Sequence, residues 1–165
     1  MLTEITIRNF KNFPEVTFEL GDRAVFVGPN NSGKTSALQA LALWDIGLKR
    51  WIEKHGTGSG PAKRPGVTIN RRDLIAVPIP GAKLLWRQLH VRRGSKTKDG
   101  KKGTQNVRID IIVKGVTGDE EWACGLEFDY ANEESFVCRP LRMSEDAESD
   151  RMEVPNEATN LQVSY

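Results

Sequence analysis

The sequence predicts an α/β fold in which a glycine loop joins a strand buried on both faces to a long helix, followed by an antiparallel β part. Three observations predict it. Residues 28–35 read Gly-Pro-Asn-Asn-Ser-Gly-Lys-Thr, a complete G-x-x-x-x-G-K-[ST] pattern. The four residues before it, Ala24, Val25, Phe26 and Val27, form a continuous apolar run, as in a central strand. After it, Ala37, Leu38, Leu41, Trp44, Leu48 and Trp51 recur at three- and four-residue intervals, one stripe of a helix reaching to about Lys54, with Gly56 where a C-cap falls.

Residues 2–10 alternate, with Ile5 and Ile7 on one side and Glu4, Thr6 and Arg8 on the other. Val16, Phe18 and Leu20 repeat the pattern, so two half-buried strands pair across a turn near Asn12, Phe13 and Pro14. Past the helix, residues 55–66 are rich in glycine, with prolines at 61 and 65, and read as a mobile connection. Pro78 and Pro80 argue against a central strand at residues 75–80, and residues 82–91 fit a short helix carrying Leu85, Trp86 and Leu89. Alternation resumes in Val107, Ile109, Ile111 and Val113, then in Trp122, Cys124, Leu126 and Phe128, and again at Phe136 and Cys138, which predicts three consecutive antiparallel strands. The expected parts are therefore residues 1–54 (opening strands, glycine loop and helix), 55–106 (a mobile basic insertion) and 107–165 (antiparallel β).

Composition narrows the class. With 38% hydrophobic and 28% charged residues over 165 positions, the chain reads as one globular domain or part of a larger one. No apolar run approaches the ~20 residues of a bilayer crossing and no signal peptide is visible, so the expectation is a cytoplasmic protein without a membrane partner. Cys124 and Cys138 lack the spacing of a zinc site and read as reduced core residues, with a redox link open if their strands set them opposite each other. The net charge of +2 conceals a segregation: residues 49–105 hold 15 Lys and Arg against 3 Asp and Glu, residues 106–165 hold 5 against 14. A basic middle faces an acidic end.

The glycine loop carries the chemistry. Gly28 and Gly33 free the backbone to curl, so that successive N–H groups converge on phosphate oxygens at a helix N-terminus. Lys34 then neutralises charge on the β- and γ-phosphates as the catalytic cation, and the Thr35 hydroxyl is the Mg²⁺ ligand. The expected fold class is accordingly a P-loop NTPase, and the expected ligands are a nucleoside triphosphate and Mg²⁺. Two antiparallel strands ahead of the loop set the chain apart from nucleotide kinases and GTPases, in which the first strand usually carries it.

The order of elements, and the segment Ile5-Thr6-Ile7-Arg8-Asn9-Phe10-Lys11-Asn12-Phe13 followed by residues 28–35, resemble the N-terminal lobe of an ABC-type ATPase head. The branch is the one that contains the structural-maintenance-of-chromosomes (SMC), RecF and overcoming-lysogenization-defect (OLD) proteins. Asn31, where many relatives have glycine, is most similar to the RecF and OLD side. The resemblance is strong over residues 1–50 and covers 107–141 only in outline. It implies that Lys11 comes near the nucleotide phosphates, the alternative being a solvated turn lysine. It also implies that Asn30 and Asn31 orient the loop, that Ser32 belongs to the nucleotide contacts, and that Ser36 adds a phosphate contact beside Thr35. Partners implied are the remainder of the head, a second head in a homodimer, and DNA.

Other motifs of such heads are not found. No four-residue apolar run ends in Asp-Glu, so no Walker B acid is present, and no Ser-Gly-Gly signature appears. Phosphoryl transfer depends on such positioning groups, so this polypeptide is expected to bind ATP and hydrolyse it poorly. Gln162 stands where a glutamine loop would begin. The cluster Arg92, Arg93, Lys96, Lys98, Lys101 and Lys102 reads either as a track for a DNA backbone or as a solvated loop; without interleaved aromatics, any binding would ignore base sequence. Arg71, Arg72 and Asp73 fit a latch or plain surface charge, and His55 and His90 have no metal-ligand spacing. Three functions compete: an ATPase lobe acting on DNA in repair or in defence against foreign DNA, a non-catalytic DNA- or protein-binding module stabilised by nucleotide, and a small kinase or GTPase lacking the Asn-Lys-x-Asp guanine reader.

Overall fold

The structure, a computed structural model, describes residues 1–58, 65–96, 99–144 and 150–160. Strands β1 (Leu2–Phe10) and β2 (Phe13–Glu19) pair antiparallel with Phe10 opposite Phe13. The helix α1 (Lys34–His55) follows the glycine loop and ends at Gly56, whose φ of 76° and N–H bond to the Ile52 carbonyl close it. Then come β3 (Val67–Asn70), β4 (Arg92–Lys96), β5 (Lys102–Asn106), β6 (Ile109–Thr117), β7 (Glu120–Asn132) and β8 (Ser135–Pro140). Six of the strands form one sheet in the order β2-β1-β6-β7-β8-β3, every neighbouring pair antiparallel, while β4 and β5 form a separate hairpin.

Register explains why one sheet face is apolar. Ile7 lies opposite Ile111, which lies opposite Leu126; Ile109 lies opposite Phe128, which lies opposite Cys138. Because strand side chains alternate, this register sends all of them to the same side, and a slip of one residue would send them to the other. Helix α1 covers that side through the buried residues Ala40, Leu43, Trp44, Leu48 and Trp51, and the Trp44 indole N–H donates to the Cys124 carbonyl at 3.0 Å. The two tryptophans are core packing, as their spacing predicts. Gly47 sets the approach, because a Cβ there would stand 2.9 Å from Cys138 Sγ and 3.0 Å from the Phe128 ring. Fully burying side chains such as Leu126, Phe128 and Phe136 contributes roughly 1.5–3 kcal/mol each.

Several expectations are corrected. Residues 24–27 form no strand: Val25 and Val27 are 83% and 89% exposed, and only Phe26 is half-buried, its ring 5.2 Å from that of Phe18. A strand requires a hydrogen-bonded neighbour, and among the described residues none runs beside this segment. Leu38, placed on the helix stripe by its spacing, is 57% exposed. Residues 82–91 are not one helix but two 3-10 turns, Ala82–Leu85 and Arg87–Leu89, with Gln88 and Leu89 at φ 54° and 59°. Leu85 and Trp86 from this stretch are buried, whereas Leu89 is 49% exposed.

The region read as an insertion is woven into the fold. Its strand β3 adds to the sheet beside β8, with Ile69 opposite Phe136, and Gly58 bridges to Val154. The Trp86 indole N–H donates to the Val107 carbonyl at 2.6 Å, and its ring packs edge-on against Tyr130. Cys124 and Cys138 are both free and buried. Cys138 opposes Phe128, four residues along β7 from Cys124, so the two thiols are not cross-strand partners. Burial pushes the Cys124 thiol up to about 12, which leaves it inert. No helix among the described residues is long and apolar enough to cross a membrane.

Candidate functional site

The glycine loop curls as its composition requires. Asn31 and Gly33 take φ 66° and 91°, and Ser32 N–H donates to the Pro29 carbonyl at 3.2 Å, so left-handed residues alternate with an ordinary one. That alternation turns neighbouring N–H groups to one side, the geometry of an anion-binding nest. Gly33 is also the N-cap of α1, with no side-chain cap and no acidic residue in the first helical turn. The positive end of the helix is thus left open to an anion.

A cavity of about 430 Å³ lies in front of the loop, lined by Asn12, Asn30, Asn31, Ser32, Gly33, Lys34, Thr35 and Ser36. Seven of the nine expected nucleotide contacts therefore meet on one surface. Gly28 shapes the loop from behind: a Cβ there would come 2.9 Å from Ser32 Oγ. The Lys34 ammonium donates to the Gly28 and Pro29 carbonyls at 2.5 and 2.7 Å and to Ser32 Oγ at 3.2 Å. It is held over the loop by groups that a polyphosphate outcompetes as a counter-charge.

Lys11 is not among the residues that line this cavity. It stands at φ 48° beside the site, not on the cavity wall, and its ammonium donates to Gln39 Oε1 of α1 and lies 5.8 Å from the Phe10 ring centroid. Burial pushes its pKa below the ordinary lysine value, so the charge is already partly desolvated. Asn12, the next residue, lines the cavity instead and went unread in the sequence; its place inside the Asn-Phe-Lys-Asn-Phe segment was the available signal. Phe13 abuts the loop, since a Cβ on Gly33 would meet its ring at 2.7 Å.

For Mg²⁺, the donors present are few and hard. The exposed Thr35 hydroxyl faces the cavity, and among the described residues no three His, Cys, Asp or Glu side chains converge. This fits a cation that keeps several waters and takes its remaining oxygens from substrate phosphates. Thr35 would hold the ion, which would supply charge neutralisation at the phosphates.

The basic cluster forms the β4–β5 hairpin. Arg92, Lys96 and Lys102 fall on one face by alternation, with Lys96 directly opposite Lys102, while Arg93 is on the other face opposite Gln105. Lys101 lies in the connection between them, and Lys98 and Gln162 lie outside the described residues. Arg71 and Arg72 pair with Glu134, and Asp73 receives Arg50 at 3.4 Å, so that trio ties β3 to its surroundings.

A second charged centre was not legible in the sequence. Glu127, fully buried on the sheet face away from α1, receives Arg142 and Arg151, the latter at 2.8 Å, with Arg108 and Arg139 at 3.6 and 3.7 Å. Burial pushes the Glu127 carboxyl up, but the hydrogen bonds and charges of Arg142 and Arg151 prevail, so it titrates below the ordinary glutamate value. Burial also raises Asp129, which Arg139 at 3.0 Å only partly offsets.

Comparison with known proteins finds a family match over the segment that contains the loop. Residues 1–45 match the family described as an AAA ATPase domain. Over 115 residues the chain is 29% identical to the DNA replication and repair protein RecF of Marinomonas sp. (strain MWYL1), a match covering 69% of this chain and 27% of that protein. The chain thus spans about a quarter of that relative's length. Its opening is similar to an SMC/RecF-type ATPase lobe, which supports an ATPase-type nucleotide-binding function.

Proposed function

We propose that this chain is the ATP-binding lobe of an SMC/RecF/OLD-like ATPase that acts on DNA, in repair or in defence against foreign DNA, through ATP-dependent joining of two heads. The observation that carries the reading is the cavity in front of an uncapped helix N-terminus, lined by the backbone of residues 30–36 and by the Lys34 ammonium. In it, the N–H groups of the loop bind and orient the phosphates, Lys34 turns from the Gly28 and Pro29 carbonyls to the β- and γ-phosphates, and Thr35 holds Mg²⁺. Lys11, in the β1–β2 turn and held by Gln39 of α1, adds positive potential at the edge. The RecF relative's printed role in DNA replication and repair supports the DNA part of the proposal.

The exposed Val25 and Val27 support a division of labour. A continuous apolar segment directly before the loop, with no neighbouring strand among those described, fits addition of strands from the remainder of the head, which would also bring the missing acid. Alone, the chain binds Mg²⁺-ATP and turns it over negligibly. Equilibrium dialysis with Mg²⁺-ATP and Mg²⁺-GTP, together with phosphate release, tests this: the expected outcome is ATP retention without turnover. Rapid hydrolysis by the chain alone, or a steady preference for guanine, contradicts it.

The second reading, a nucleotide-stabilised binding module, draws on the hairpin. Its like-charged cross-strand pair Lys96 and Lys102 is an arrangement that costs stability unless an anion lies over it. DNA affinity indifferent to ATP and to Lys34→Ala favours that reading over the first.

A further inference from the structure

At the foot of the hairpin is a second cavity, about 150 Å³, lined by Asn9, Arg93, Gln105, Asn106, Arg108 and Asp110. Its lining is polar, two guanidinium groups and three side-chain amides against one carboxylate. We propose that this cleft is a phosphate-binding site that holds one phosphodiester group of a nucleic-acid strand lying along the hairpin. The proposal rests on the DNA reading above and deepens it by naming where the backbone is gripped.

Charge favours an anion there. Arg93 and Arg108 face the cleft against the single carboxylate of Asp110, whose Oδ2 is 3.9 Å from Arg8 on β1. Arg108 Nε is 3.6 Å from Glu127, which together with Asp129 also serves Arg139, Arg142 and Arg151, so two carboxylates stand among four guanidinium groups. The neighbourhood therefore carries more positive than negative charge while being partly withdrawn from water, which strengthens its hold on an anion. Amides of Asn9, Gln105 and Asn106 add neutral donors.

The hairpin supplies the direction of the strand. Arg92, Lys96 and Lys102 share one face, and the four steps from Arg92 to Lys96 span roughly 13 Å at about 3.3 Å per residue. Backbone phosphates of one strand follow each other at intervals short enough for several to lie over that face. Arg93, on the opposite face, reaches the cleft.

The fold ties the cleft to the nucleotide loop through five consecutive residues. Asn9, at φ 56°, donates its amide to the Arg108 carbonyl at 3.0 Å, and the Lys11 N–H donates to the Leu85 carbonyl at 2.9 Å. Asn12 lines the loop cavity and Phe13 abuts Gly33.

The test uses the full chain and a fluorescein-labelled DNA strand, single or duplex, with anisotropy measured across a salt series. Each lost phosphate contact lowers the slope of log K against log salt by about 0.7 on a single strand and about 0.9 on duplex. Arg93→Ala is expected to lower the slope by that amount, as is Lys96→Ala on the hairpin's other face. Asn9→Gly, which keeps the left-handed backbone, weakens binding several-fold with the slope unchanged. Melting temperatures establish that each variant is folded. If Arg93→Ala and Asn9→Gly bind as the parent does while Lys96→Ala weakens binding, the cleft is not the site and the hairpin reading stands. Absence of DNA binding by the parent chain overturns the DNA reading itself.

Discussion

Gly33 shows how one position serves both fold and site. Its φ of 91° lies in the region where a Cβ costs roughly 1–2 kcal/mol, and the Phe13 ring occupies the space that Cβ would need. Gly33→Ala should therefore lower the melting temperature by several degrees, at about 2–4 °C per kcal/mol for a chain of this size, and weaken nucleotide binding. Adding Phe13→Ala relieves the clash but not the backbone strain, so the double variant recovers part of the loss in thermal melts. Glu127 makes the opposite kind of demand. Glu127→Gln leaves its arginines without their shared carboxylate, and the expected loss is on the order of 3–5 kcal/mol in urea denaturation. The pH dependence has a defined sign. Because the folded Glu127 titrates below its ordinary 4.5, its contribution is complete above that value and disappears as the pH falls through the folded one. Asp129 runs the other way, since burial raises it above 3.8 and protonation relieves it. The parent chain should lose stability more steeply than Glu127→Gln between about pH 5 and 3.

At the scale of elements, close approach of α1 to the sheet depends on Gly47. Gly47→Ala gains about 1 kcal/mol of helix propensity but forces Cβ against Cys138 and Phe128, and overpacking of this kind costs about 1–3 kcal/mol. A net decrease in the denaturation midpoint is expected, with recovery when Cys138→Ala opens the space. The strands that alternate cleanly, β1, β2, β6, β7 and β8, were legible because their burial is set by cross-strand neighbours in this same chain. So was α1, from its stripe and its glycine at the end. Residues 24–27 were misread because an apolar run reports a demand for burial without showing whether a neighbour exists to meet it. β3 was missed because four residues between glycine- and proline-rich stretches carry too short a pattern to outweigh their surroundings. Residues 82–91 look helical by their apolar spacing, yet left-handed Gln88 and Leu89 break them, a backbone choice that spacing does not encode.

Across the whole molecule, the sequence exposed the nucleotide loop almost entirely, because its chemistry is local: eight consecutive residues carry both the curl and the charge. Lys11 and Asn12 were harder, since which of two adjacent residues faces the cavity depends on the twist of a turn that has two left-handed residues. The Glu127 centre and the cleft at the hairpin foot assemble residues from β1, β5, β7 and the segments after β8, and no spacing along the chain announces them. The basic middle and acidic end meet where Arg71 and Arg72 pair with Glu134, whereas the hairpin forms its own sheet and Glu127 is enclosed by arginines of the acidic end itself. Nucleotide binding should be felt by the fold as a whole. At a hundredfold excess over its dissociation constant, ATP stabilises by about 2.7 kcal/mol, which corresponds to a rise of roughly 5–11 °C in melting temperature. The most direct measurement is calorimetric titration of the intact chain with Mg²⁺-ATP, set beside Lys34→Ala. Saturable heat at one site per chain, lost in the variant, is the predicted result; no heat from the parent chain, or equal binding by both, would contradict a phosphate-gripping loop at residues 28–36.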